Sequence, residues 1–172
     1  PGQVVDRPTV GEPDRAVEQA GGHHDSCQSG ETAHGVQVVD EPRDTGWNTS
    51  LALGPDGRPH VVYYDRSNHD LKHAWCSDDG TFHTEIVDDK DVVGAYASGA
   101  DIAVGRDGVV HVAYYDETQE QLKYAAKRGE HWTTAVVDSD GDVGRDASIA
   151  VAAGGEIFIS YFDLSGERLK VA

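Results

Sequence analysis

The chain has 172 residues, no methionine, two cysteines and a net charge of −17. An acidic surface of that size repels nucleic-acid phosphates and anionic membranes, which argues against both as partners. It leaves cationic ligands and divalent metals open. No apolar run approaches the roughly 20 residues of a membrane span.

Residues 1–33 differ from the rest. They are polar, rich in Pro and Gly and poor in large apolar side chains. They read as an N-terminal extension, with one short helix allowed from Pro13 to about Ala20 before Gly21 and Gly22. His23, His24, Asp25 and Cys27 are metal-capable residues close together, but four donors so near in sequence rarely reach ideal geometry unaided. They read as a loop. Cys27 and Cys76 allow one disulfide that pins the extension, with two free thiols as the alternative. With Gly-rich β repeats, the pair points to an extracellular or periplasmic location.

From residue 34 onward the sequence repeats. Asp65, Asp116 and Asp163 close the motifs YYD, YYD and YFD, and Leu71-Lys72, Leu122-Lys123 and Leu169-Lys170 keep the same spacings of 51 and 47. Val39-Asp40, Val87-Asp88 and Val137-Asp138 form a further series. A period near 50 matches the roughly 40–50 residues of a four-stranded propeller blade.

Each unit holds four strand-like runs. The first is SLAL, DIAV or SIAV, followed by a Gly-containing turn that marks a hairpin. The second is HVVYYD, HVAYYD or FISYFD, rich in β-branched and aromatic residues. The third is DLKHAW, QLKYAA or RLKVA, and the fourth FHTEIVD or WTTAVVD. No amphipathic helical period occurs from Ser50 onward.

These features predict an all-β chain: a β-propeller of four-stranded blades, about three of them present. Residues 50–88 and 100–138 form blades, 148–172 an incomplete blade, and 34–40 a spare fourth strand. An open stack or a sandwich of hairpins is the alternative. Closed propellers need roughly 4–8 blades. The expected partners therefore include missing blades on another polypeptide, or copies of this chain that exchange the spare strand in a homo-oligomer. The chain begins Pro1-Gly2 and stops inside the third unit, so it reads as a processed or partial chain.

In such an arrangement the loops after the second and fourth strands share one face, and here both sets are acidic. The predicted ligand-binding residues are Tyr64, Asp65, Tyr115, Asp116, Phe162 and Asp163, where aromatic faces beside carboxylates suit carbohydrate or cationic peptide. The alternatives are that the aromatics are core and that the Asp side chains cap turns. Asp138, Asp140 and Asp142 alternate as in short calcium loops and could hold Ca²⁺, though without the bidentate Glu of an EF-hand. His60 and His111 share a repeat position that Phe158 also occupies, so they read as packing residues. Asn48-Thr49-Ser50 fits a glycosylation sequon by a short, incidental pattern.

Units of the form SLALxxDGxPHVxYYDxxxxDLKYA…W…VD resemble the repeats of secreted bacterial propellers of the sialidase-like type, over Gly35 to Ala172. The resemblance implies a fold more than an activity. Sialidases carry an Asp-box, Ser-x-Asp-x-Gly-x-Thr-Trp, before the fourth strand. Ser77-Asp78-Asp79-Gly80-Thr81-Phe82 sits there, one residue short between Gly and Thr and with Phe for Trp. Lys127 to Trp132 departs further. In that family the box is a structural turn, and the arginine cluster the mechanism needs is not at a shared repeat position here. The expectation is thus a non-enzymatic secreted module that binds carbohydrate or protein through its acidic loop face. A scaffold with Ca²⁺-stiffened loops and a glycoside hydrolase fragment are the alternatives.

Overall fold

The structure, a computed structural model, describes Cys27 and residues 36–41, 44–90, 92–94 and 99–172. The expected helix at Pro13 and the His23, His24, Asp25 set lie outside the described residues. Among the described residues, eleven strands form three antiparallel sheets in chain order. The first holds β1 (Thr45–Leu53), β2 (Pro59–Asp65), β3 (Asp70–Cys76) and β4 (Phe82–Asp88). The second holds β5 (Ala100–Val104), β6 (Val110–Asp116), β7 (Gln121–Arg128) and β8 (His131–Asp138). The third holds β9 (Val143–Val151), β10 (Ile157–Asp163) and β11 (Arg168–Val171). Residues 36–39, expected as a strand, are in none.

Each sheet is a meander, because its turns are written locally. Gly54 N–H donates to Arg58 O at 2.8 Å and Gly57 N–H to Gly54 O at 2.9 Å, and the same pair of bonds recurs at Gly105 and Gly108. Gly57 and Gly108 sit at φ of 79° and 77°, where a side chain would strain the hairpin.

The closed-ring expectation is corrected. The all-β content holds, but among the described residues the sheets are separate, with four, four and three strands, and none closes on itself. Among the described residues, no propeller blade arrangement forms. The repeat specifies a meander whose apolar face must meet a neighbour; it does not specify how many meanders meet, and closure requires more than three.

The core lies in two seams. Val62, Leu71 and Val87 of the first sheet meet Ile102, Val112 and Tyr114 of the second. Ala113 and Leu122 on the other face of the second sheet meet Ile149, Ile159 and Tyr161 of the third. A polar clamp repeats beside this packing. The hydroxyls of Tyr63, Tyr114 and Tyr161 donate to Asp40, Asp88 and Asp138, each at 2.7 Å. Lys72, Lys123 and Lys170 donate to the same carboxylates. Asp88 ends the first sheet and is held by the second; Asp138 ends the second and is held by the third. The Val-Asp and Leu-Lys series of the sequence are the two halves of one inter-sheet fastening.

Cys27 and Cys76 are bonded, with Cα atoms 5.9 Å apart. Cys27 N–H also donates to Gly80 O at 3.0 Å, so this point of the extension is tied to the β3–β4 turn.

Candidate functional site

The expected ligand residues gather at the ends of β2, β6 and β10, and their carboxylates face inward. Asp65 accepts from the Ser67 and Asn68 amides at 2.9 and 3.2 Å. Asp116 accepts from Thr118 and Gln119 at 3.1 and 3.0 Å, and Asp163 from Gly166 at 2.7 Å and Arg168 at 2.9 Å. All three are buried. Tyr64 and Tyr115 are 2% and 1% exposed, and Phe162 is half-buried. The Tyr64 hydroxyl pairs with His69 Nδ1 at 2.6 Å. These side chains shape the loop end of each sheet by closing its turn.

Asp138, Asp140 and Asp142 do not converge. Asp138 is bound by Tyr161 and Lys170 and caps the Asp140 amide at 3.0 Å. Burial alone would raise its pKa, but the Lys170 and Tyr161 hydrogen bonds outweigh this and bring it to about 2. Asp142 accepts from the Arg145 guanidinium at 3.0 and 2.9 Å and from the Tyr115 hydroxyl at 2.7 Å. The Arg145 hydrogen bond holds its carboxyl below the ordinary range. Among the described residues, no group of three or more His, Cys, Asp or Glu side chains could hold a metal ion.

The same loop end carries a residue that the strand assignment hid. Trp47 is 48% exposed. Its neighbours Gly46 and Asn48 both have positive φ, 89° and 51°, and the β1–β2 register slips on either side of it. Such a bulge re-aims a side chain out of the normal alternation. The indole Nε1 donates to Asp44 Oδ1 at 2.7 Å, and the Arg66 guanidinium lies 5.4 Å from the ring centroid. Arg66 also reaches Asp44 at 3.4 Å. Indole, carboxylate and guanidinium thus form one open cluster, with about half of each charged side chain exposed.

The third sheet repeats the backbone device. Arg145 lies between Gly144 and Asp146, at φ of 107° and 52°, beside register slips between β9 and β10. There the cluster is closed: Arg145 lies 4.9 Å over the buried Tyr115 ring and grips Asp142. The sequence signal was Gly-Trp-Asn and Gly-Arg-Asp at one repeat position, upstream of the expected strand starts.

The Ser77–Phe82 segment does fold as an Asp-organised turn. Asp79 accepts from the Thr81 amide at 3.0 Å and the Thr81 hydroxyl at 2.6 Å, and Ser77 N–H donates to Thr81 O at 2.9 Å.

No family model and no curated protein matches the chain. Among solved structures it is similar to a fucose lectin from Kordia zhangzhouensis in complex with methyl-fucoside, at 16% identity, covering 72% of this chain and 89% of that one, with a TM-score of 0.48.

Proposed function

We propose that this protein is a non-enzymatic carbohydrate-binding module that seats a sugar ring on Trp47. The observation behind this reading is the open Asp44–Trp47–Arg66 cluster. The half-exposed indole presents a flat apolar face, which suits the C–H face of a sugar. Asp44 accepts hydrogen bonds and Arg66 offers a planar fork of donors, which together suit vicinal hydroxyls. The Cys27–Cys76 bond supports a secreted location, where disulfides persist.

A glycan-cleaving reading would use Tyr115 as nucleophile beside Arg145. That phenol is buried and donates to Asp142, and burial first, then that hydrogen bond, hold its pKa above the ordinary value. It stays protonated at neutral pH and is a poor nucleophile.

The test is calorimetric and fluorescence titration with methyl-glycosides of glucose, galactose, mannose and fucose, with and without chelator. At least one glycoside is expected to bind, and Trp47→Ala is expected to weaken it ten-fold or more, about 1.4 kcal/mol. Equal binding by Trp47→Ala, or no binding of any glycoside, would overturn the reading.

A further inference from the structure

At the other end of the strands, where the Gly-containing turns lie, a cleft of about 280 Å³ opens between the first and second sheets. His60, His73 and Trp75 line one wall; Val110, Lys127 and Glu130 line the other. The His73 ring is nearly parallel to those of His60 and Trp75, with ring centroids 5.2 and 5.4 Å apart. The opposite wall is bare at Gly108 and Gly129, where an added Cβ would meet nothing within 4 Å.

The protons along this row are ordered by chemistry. Burial would raise the Glu85 pKa, but hydrogen bonds from His73 and Lys127 bring it to about 2, so it is ionised and only accepts. His73 Nδ1, 2.9 Å from Glu85 Oε1, must therefore carry the proton. Burial keeps His73 neutral, so its Nε2 is bare and accepts from His60 Nδ1 at 3.0 Å. Burial, then the neighbouring His73, keep His60 neutral too, which leaves its Nε2 as a fixed acceptor. Across the cleft, Lys127 Nζ lies 4.3 Å over the Trp75 ring and binds both Glu85 oxygens at 2.6 and 2.7 Å.

We infer that this seam is a second saccharide site, one that takes a single neutral sugar ring. His60 and Trp75, the two partly exposed rings of the row, offer apolar surface, His60 Nε2 and Glu130 the acceptors, and Lys127 the remaining donor. Lys127 is already neutralised by Glu85, so an anionic ligand would find no uncompensated cation. The volume falls just below the roughly 300–1,000 Å³ of drug-sized sites, which limits the occupant to one ring. The next seam repeats the place: a cleft of about 220 Å³ lies between the second and third sheets, with His111 at the position of His60. His111 Nδ1 is engaged by the Tyr124 hydroxyl at 2.6 Å, so Nε2 is again the free ring nitrogen.

The ligand class rests on the carbohydrate reading, but the site is separately testable because each place has its own indole. The experiment is NMR titration with the same four methyl-glycosides, following the Trp75 and Trp47 indole signals and the His60 imidazole nitrogens. At least one glycoside is expected to shift Trp75 and His60 in the native protein and in Trp47→Ala. His60→Phe or Glu130→Gln should weaken that response ten-fold or more. Glu130 is exposed, so Glu130→Gln leaves the fold intact, whereas His60→Phe also takes the donor from buried His73 Nε2, and its fold is checked by the unchanged amide spectrum of the second and third sheets. Silence of Trp75 and His60 towards all four glycosides would overturn the inference, as would unchanged shifts of Trp75 in His60→Phe. A silent Trp47 beside a responsive Trp75 would remove the rim reading and keep this one.

Discussion

Lys123→Met is expected to lower the free energy of unfolding by about 3–5 kcal/mol, the usual cost of stripping one partner from a buried ion pair. Lys123 and Asp88 are both buried, and Lys123 also lies 3.8 Å from the buried Asp116. Methionine fills nearly the same volume but leaves two carboxylates without their cation. The Tyr114 hydroxyl still donates to Asp88 and the Thr118 and Gln119 amides to Asp116, which hydrogen-bonds the charges without neutralising them. Lys170→Met is expected to cost far less, because Lys170 is more exposed and water can replace it at Asp138. Urea unfolding of the two variants tests the contrast. Equal midpoints would mean that the clamp between the first two sheets is no stronger than the one between the last two.

The clamp shows which parts of this protein could be read from its sequence. Strands and hairpins were legible because neighbouring residues specify them: Gly57 and Gly108 fix turns, and the β-branched runs fix β2, β6 and β10. The Leu-Lys and Val-Asp series were also visible, but their meeting was not. Asp88 finds Lys123 across a seam, and in sequence it looks like any turn-capping Asp. Closure was misread for a related reason, since the number and arrangement of sheets is not a local property.

At the candidate site the difficulty was alternation. Period two separates the faces of a strand, and where only one face is covered it also separates buried from exposed. The second sheet is covered on both faces, so Tyr114 and Tyr115 are both buried despite pointing oppositely. Trp47 escaped because β1 begins before the apolar run that marked it. Only two positive-φ residues and a register slip bring its ring to the surface, and the letters Gly-Trp-Asn hint at that without requiring it.

Acidification from pH 7 to pH 5 is expected to destabilise the fold by about 1 kcal/mol through His60, since solvent in the cleft screens part of the effect. Burial first, then repulsion from His73, depress its pKa from 6.5 to about 4. Between those values the unfolded chain binds a proton that the folded chain refuses. Stability therefore rises with pH across this window, is fully present above about 6.5, and is lost as pH falls towards 4. Burial shifts His73 and His111 in the same direction, so they add to the slope. The lowered carboxylates act in the same sense but at lower pH: Glu85, Asp138 and Asp79, each lowered to about 2, lose their contribution only below their unfolded range near pH 4. Burial raises Asp70 and Glu117 and works in the reverse sense, again near the carboxylate range. Urea midpoints at pH 7 and pH 5 measure the difference, and His60→Phe isolates its source. The variant should lose most of the His60 share of the slope. If it keeps the native pH dependence, His60 is not what excludes the proton, and the sensitivity between pH 7 and pH 5 belongs to His73 and His111 instead.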